Sequence, residues 1–167
     1  WQLPIPVIKT SAGWQFDIKE GAEEILTREI GRNELAAIEA LHAYVDAQQS
    51  YFAMNQKYAQ KIVSSKGKKD GLYWPASPGE APSPLGPAFS PKEPGTGYHG
   101  YRFRILPDNH GFAMVAWPVS YGQTGVMSFV INQDDKVYQS DLGSDSEQKA
   151  RALAAYNPDK TWQPAAP

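Results

Sequence analysis

Three histidines are the side chains of this sequence best suited to proton transfer or metal ligation near neutral pH, because imidazole is the group whose unperturbed titration falls there. None stands at a spacing that brings two imidazoles to one metal. His42 lies within a helical pattern, near its apolar stripe, where a packed or partly exposed ring is expected. His110 lies in the turn Pro107-Asp108-Asn109-His110-Gly111 and is expected in solvent. His99, between Tyr98 and Gly100 at the mouth of a predicted strand, is the candidate catalytic residue. An imidazole there could act as a general base if a serine and an orienting acid joined it. Ser120, Ser128 and Ser140 lie on or near strands, but no G-x-S-x-G elbow occurs to expose one of them as a nucleophile.

Three groups of carboxylates come close enough in sequence to be weighed for chemistry. Asp141, Asp145 and Glu147 offer oxygen ligands at a short spacing that a hard cation such as calcium favours, yet the EF-hand pattern is not met. Their expected role is a helix start, where acids interact well with the dipole. Asp134 and Asp135 read as a turn. Glu23, Glu24, Glu29 and Glu34 could pair for glycosidic chemistry, but at this periodicity they read as solvated helix faces. Gly95-Thr96-Gly97 lacks the third glycine and the following helix of a phosphate cradle. No metal and no cofactor is therefore expected.

Aromatic residues form the densest remaining signal. Tyr73, Trp74, Tyr98, Tyr101, Trp117 and Tyr121 flank a proline-rich segment and the mouths of predicted strands. Rings exposed there would make a platform for a sugar, a peptide or a protein partner; rings turned inward would cover the core. Tyr73, Trp74, Tyr98 and Tyr121 are the candidate ligand or partner surface.

These residues must be positioned by a chain of 167 residues, 41% of them hydrophobic, which suits one domain over residues 1–167. The formal charge is -2, without a block of either sign, so nucleic acid is not an expected partner. Lys66, Lys68 and Lys69 around Gly67 read as a solvated helix exit. With no cysteine, disulfides, thiolate metal sites and a cysteine nucleophile are excluded. No apolar run approaches the ~20 residues that a membrane-spanning helix needs. The opening Trp1-Gln2-Leu3-Pro4-Ile5-Pro6-Val7-Ile8 already reads as an extended segment, which points to an upstream portion.

A hairpin is expected around Thr10-Ser11-Ala12-Gly13, with Trp14, Phe16 and Ile18 alternating on its second strand. Asp17 and Glu20 have capping-box spacing and predict a short helix ending at Gly31 as C-cap. Asn33 then caps a second, longer helix, running to about Val63 and packed by Ile38, Leu41, Val45 and Phe52. Residues 75–94 are rich in proline and predict a surface loop pinned by Leu85 and Phe89. Tyr101, Phe103 and Ile105 alternate with Arg102 and Arg104, opening an antiparallel meander of three to four strands that continues through Phe112–Trp117, Val126–Ile131 and Lys136–Gln139. Ser144 and Glu147 predict the cap of a short C-terminal helix burying Ala150, Leu153 and Ala154. The expected fold class is α+β: an N-terminal hairpin, a long amphipathic helix on an antiparallel meander, and a short C-terminal helix.

Particular runs are also familiar. Phe16-Asp17, Gly21-Ala22-Glu23-Glu24-Ile25, Ile30-Gly31-Arg32-Asn33-Glu34-Leu35, Asp70-Gly71-Leu72-Tyr73-Trp74-Pro75, Tyr98-His99-Gly100-Tyr101, Val115-Ala116-Trp117-Pro118 and Tyr121-Gly122-Gln123-Thr124-Gly125-Val126-Met127 resemble the bacterial domain of unknown function 2950. The resemblance covers nearly the whole chain. It implies an exported protein, periplasmic or secreted, and no particular activity. Where that family carries an Asp/Gly-rich stretch after the long helix, this chain has Met54-Asn55-Gln56-Lys57-Tyr58-Ala59, which argues against calcium. A weaker likeness is to type IV pilins and pseudopilins, which also set a long helix before an antiparallel meander; it supports fold more than function. The expectation is a non-enzymatic envelope module that binds a protein or polymer, the alternative an envelope hydrolase or transferase using His99.

Overall fold

The computed structural model describes residues 2–87, 97–108 and 111–165. The N-terminal hairpin forms as expected: β1 (Val7–Thr10) pairs antiparallel with β2 (Gly13–Phe16) around Ser11-Ala12. Gly13 sits at φ 118, a conformation that only glycine adopts without strain. Trp14, Phe16 and Ile18 are exposed, so the alternation expected there packs no core.

Helix α1 (Ile18–Asn55) follows without a break over 38 residues. The Asp17 side chain accepts from the Glu20 N–H at 3.1 Å, the N-cap bond anticipated from the capping-box spacing. The two predicted helices are thus one. Gly31 costs a helix interior about 1 kcal/mol relative to alanine, and this local weakness is overridden because the next residues are held from outside the helix. Asn33 caps nothing; its amide reaches Thr124, and Glu34 binds the backbone at Val126 and Met127. The helix also ends before Val63. Gln56 takes the left-handed conformation at φ 54, and its N–H returns to the Phe52 carbonyl. Leu41 and Val45 are buried as expected and Ile38 packs against them, whereas Phe52 is 38% exposed and leans on the Tyr58 ring instead.

After α1 the chain has no regular element up to residue 87, but it is tied down by side chains. Gln48 is fully buried and donates to the Ala59 carbonyl while accepting from the Ala59 N–H, each at 2.9 Å. The same amide donates to the Tyr44 hydroxyl, which donates on to the Ala113 carbonyl of the sheet. Lys61, Ser65 and Asp70 form a second knot. In the proline-rich segment Leu85 is docked, 3% exposed, with its N–H on the Leu72 carbonyl. Phe89, its expected companion, lies outside the described residues.

Five antiparallel strands make the sheet, in the order β3 (Tyr101–Leu106), β4 (Ala113–Pro118), β5 (Ser128–Asn132), β6 (Tyr138–Ser140) and β7 (Gln163–Pro164). The meander was anticipated; β7, too short and proline-bearing to read as a strand, adds to it. Strand β4 is buried at every position because both faces of the sheet are covered. On one face Met114, Ala116, Phe129 and Ile131 meet Leu41, Tyr44 and Val45 of α1. On the other, Leu106, Ala113, Val115, Trp117 and Val130 meet Ala150 of helix α2 (Ser146–Ala152), with Leu153, Tyr156 and Trp162 partly buried against them. The predicted Ser144–Glu147 box is absent: α2 begins after Asp145 without a side-chain cap, and Ala154 is exposed. Its carboxyl end is closed by Arg104 instead, which donates to the carbonyls of Ala150 and Leu153.

Candidate functional site at the Tyr98–His99 turn

The segment leading into β3 makes a two-residue reversal. Tyr98 and Tyr101 exchange both backbone hydrogen bonds, at 2.8 and 3.0 Å, while His99 (φ 46) and Gly100 (φ 71) are both left-handed. Two positive φ values in succession are what a type I′ loop requires. For Gly100 the space is as restrictive as the dihedral, since a Cβ there would stand 2.8 Å from the Thr124 Cβ and 3.1 Å from the Asn33 amide nitrogen.

The loop between β4 and β5 lies against this turn. Thr124 closes it, its N–H on the Ser120 carbonyl at 2.9 Å and its hydroxyl accepting from the Ser120 N–H at 3.0 Å. Asn33 of α1 donates to the Thr124 carbonyl at 3.0 Å, and one Glu34 oxygen accepts from the N–H groups of both Val126 and Met127. Beneath them the buried Tyr101 hydroxyl donates to the Met127 carbonyl at 2.8 Å. Burial first, and then the charge of Glu34, push that hydroxyl above its ordinary titration range. Gly125 packs on the Tyr101 ring so closely that no side chain fits.

On this base His99 is exposed, its ring set edge-on to Tyr98 at 4.4 Å between centroids. Among the described residues no acid or serine oxygen is bonded to it. Tyr121 is half-buried and donates to Asp141 at 3.1 Å, and that bond, more than burial, raises its pKa. Asp141, Asp145 and Glu147 do not converge on a cation site: Asp145 pairs with Lys149, and Glu147 with Arg102 and Arg151. Among the described residues no group of three or more His, Asp or Glu is arranged to hold a metal. His42 pairs with Asp135 at 2.6 Å, tying α1 to the β5–β6 turn, and His110 lies outside the described residues.

The four candidate aromatics do not form one platform. Tyr98 and Tyr121 belong to the turn and loop just described. Trp74 is only 6% exposed, with Lys69 over its ring, and Tyr73 is half-buried. Their segment is anchored where Tyr51 donates to the Lys69 carbonyl, about 27 Å along α1 from Asn33 at 1.5 Å per residue. Trp74 is thus part of the core beneath the loop. The sequence reading also missed the bracing residues Asn33, Glu34, Thr124 and Gly125. The usable signal was that the runs resembling the 2950 family, 30–35, 98–101 and 121–127, are the ones that meet here.

Fold and site together define an α+β protein in which a helix-braced turn is the most elaborated surface among the described residues. The chain belongs to the family described as "Protein of unknown function (DUF2950)", whose model matches residues 1–110 and 108–165. No curated protein and no solved structure matches it.

Proposed function

We propose that this protein is a non-enzymatic binding or structural module of the bacterial envelope, periplasmic or secreted, which engages a protein or polymer through Tyr98, His99 and Tyr121. The observation that carries this reading is an exposed, left-handed His99 on a turn that packs at Gly100 against a loop which Asn33 and Glu34 of α1 hold in place. Such a base holds the exposed His99 and the half-buried Tyr98 and Tyr121 in one arrangement and lowers the ordering cost of binding. Export rests on the family resemblance. A long N-terminal helix along one face of an antiparallel sheet also supports the pilin-like reading, with α2 and β7 as additions to it.

The test is sedimentation with insoluble peptidoglycan and crosslinked capture from envelope extracts, using wild type and the Tyr98→Ala, His99→Ala and Tyr121→Ala variants. The variants keep the wild-type melting temperature and lose about tenfold in retention, as truncation at the centre of a contact does. Unchanged retention in all three overturns the assignment. A hydrolytic activity on envelope material that disappears in His99→Ala favours the enzymatic alternative instead.

A further inference from the structure

The hairpin at the other end of the molecule's logic is a sheet of two strands that nothing among the described residues extends. Its most exposed apolar side chains are Val7 at 50%, Trp14 at 71% and Phe16 at 55%, with Ile8 less exposed at 38% on the opposite face. The register Val7↔Phe16 and Lys9↔Trp14 puts these residues on one face. The Asp17 N–H bonds the Pro6 carbonyl at 2.8 Å, so in the alternation of an antiparallel ladder the backbones of Ile8, Gln15 and Thr10 point inward. The N–H and C=O groups of Trp14 and Phe16 therefore point outward from β2, symmetrically about Gln15.

The two edges differ. Pro4 and Pro6 precede β1, and Lys9 lies on it, devices that discourage strand addition. Strand β2, Gly-Trp-Gln-Phe, has neither proline nor charge. An edge with matching donors and acceptors on both sides of a central residue is complementary to itself, as an isologous interface must be.

The geometry points to a second copy of this chain as the occupant: β2 pairs antiparallel with β2 of the second copy, centred on Gln15, to give a continuous sheet β1-β2-β2-β1. Trp14 exchanges both backbone hydrogen bonds with Phe16 of the second copy, and Phe16 with Trp14 of the second copy. The same register sets each Trp ring opposite a Phe ring on one face, a favourable cross-strand pair. Charge agrees with this pairing. The hairpin's lysines sit on the outer strands and do not meet.

Gln15 lies on the two-fold axis, directly opposite itself, and is exposed, so it tests the register without touching the monomer. Sedimentation equilibrium of this chain shows a reversible monomer–dimer equilibrium. Gln15→Lys and Gln15→Glu each weaken it about fivefold by like-charge opposition, with unchanged melting of the monomer, and an equimolar mixture of the two restores it. A chain monomeric up to about 1 mM overturns the proposal, as does a dimer indifferent to both charges. A monomer that instead floats with phosphatidylcholine vesicles assigns this face to a bilayer and overturns it equally.

Discussion

Glu34 and Met127 are joined by a hydrogen bond of 2.9 Å from the Met127 N–H to the Glu34 carboxylate, and the same oxygen takes the Val126 N–H at 2.9 Å. One side chain of α1 thus satisfies two amides of the loop that faces the His99 turn. Both bonds are charge-assisted and partly buried. Glu34→Ala should lower stability by about 2–4 kcal/mol, and Glu34→Gln by less because its carbonyl oxygen still accepts. Urea unfolding checks the order; equal effects would show that the loop amides require the negative charge, and not merely an oxygen acceptor of the right size.

Gly125 offers a steric test of the same region. A Cβ there would collide with the Tyr101 hydroxyl. Gly125→Ala should cost about 1–3 kcal/mol, as overpacking does. Tyr101→Phe removes the nearest atom, so the double variant should be more stable than the sum of the singles predicts, a coupling read from a double-mutant cycle.

Gln48 holds the chain where α1 ends. Replacing it with Leu leaves the Ala59 N–H and C=O without their partner in a buried site, a loss of about 2–4 kcal/mol. Amide exchange should rise first around Ala59 and the neighbouring Tyr58, ahead of the sheet.

Asp70 gives a pH dependence of defined sign. The hydrogen bond from Lys61, then that from the Ser65 N–H, holds its carboxyl well below the usual carboxylate range. A depressed folded-state pKa contributes stability that is complete above the unfolded value near 4 and is lost as pH falls through the folded one. The wild type should therefore lose stability more steeply than Asp70→Asn below about pH 4, in urea midpoints measured down the acid limb. Parallel curves would mean that the knot is mechanically, but not electrostatically, important. The Asp70 side chain is 36% exposed, so solvent screening limits the size of the effect.

Local rules were legible wherever local forces decide. The Asp17 cap, the Ser11-Ala12 hairpin and the meander from Tyr101 onward follow from capping and alternation, and all were readable. The join at Gly31-Arg32-Asn33 was not, because glycine and asparagine there carry a stop signal and a start signal that contacts with Thr124, Val126 and Met127 override. Gln56 hid the true helix end by taking a left-handed conformation usually left to glycine. Glu34 looked like one more solvated carboxylate among Glu23, Glu24 and Glu29, since one-dimensional spacing carries no trace of a partner 92 residues away. Trp74 looked like a platform because a ring beside a proline-rich stretch reads the same whether it faces out or in.

The pairing of α1 with β4 and β5 also orders events on the ribosome. The apolar face of α1 is made early, while the strands that cover it, through Ile131, are made late. During synthesis that face has nothing of its own chain to pack against, and closing it spans a long loop, which slows folding. A nascent chain in this condition carries uncovered apolar surface, and one that stalls before β5 is complete remains prone to aggregate.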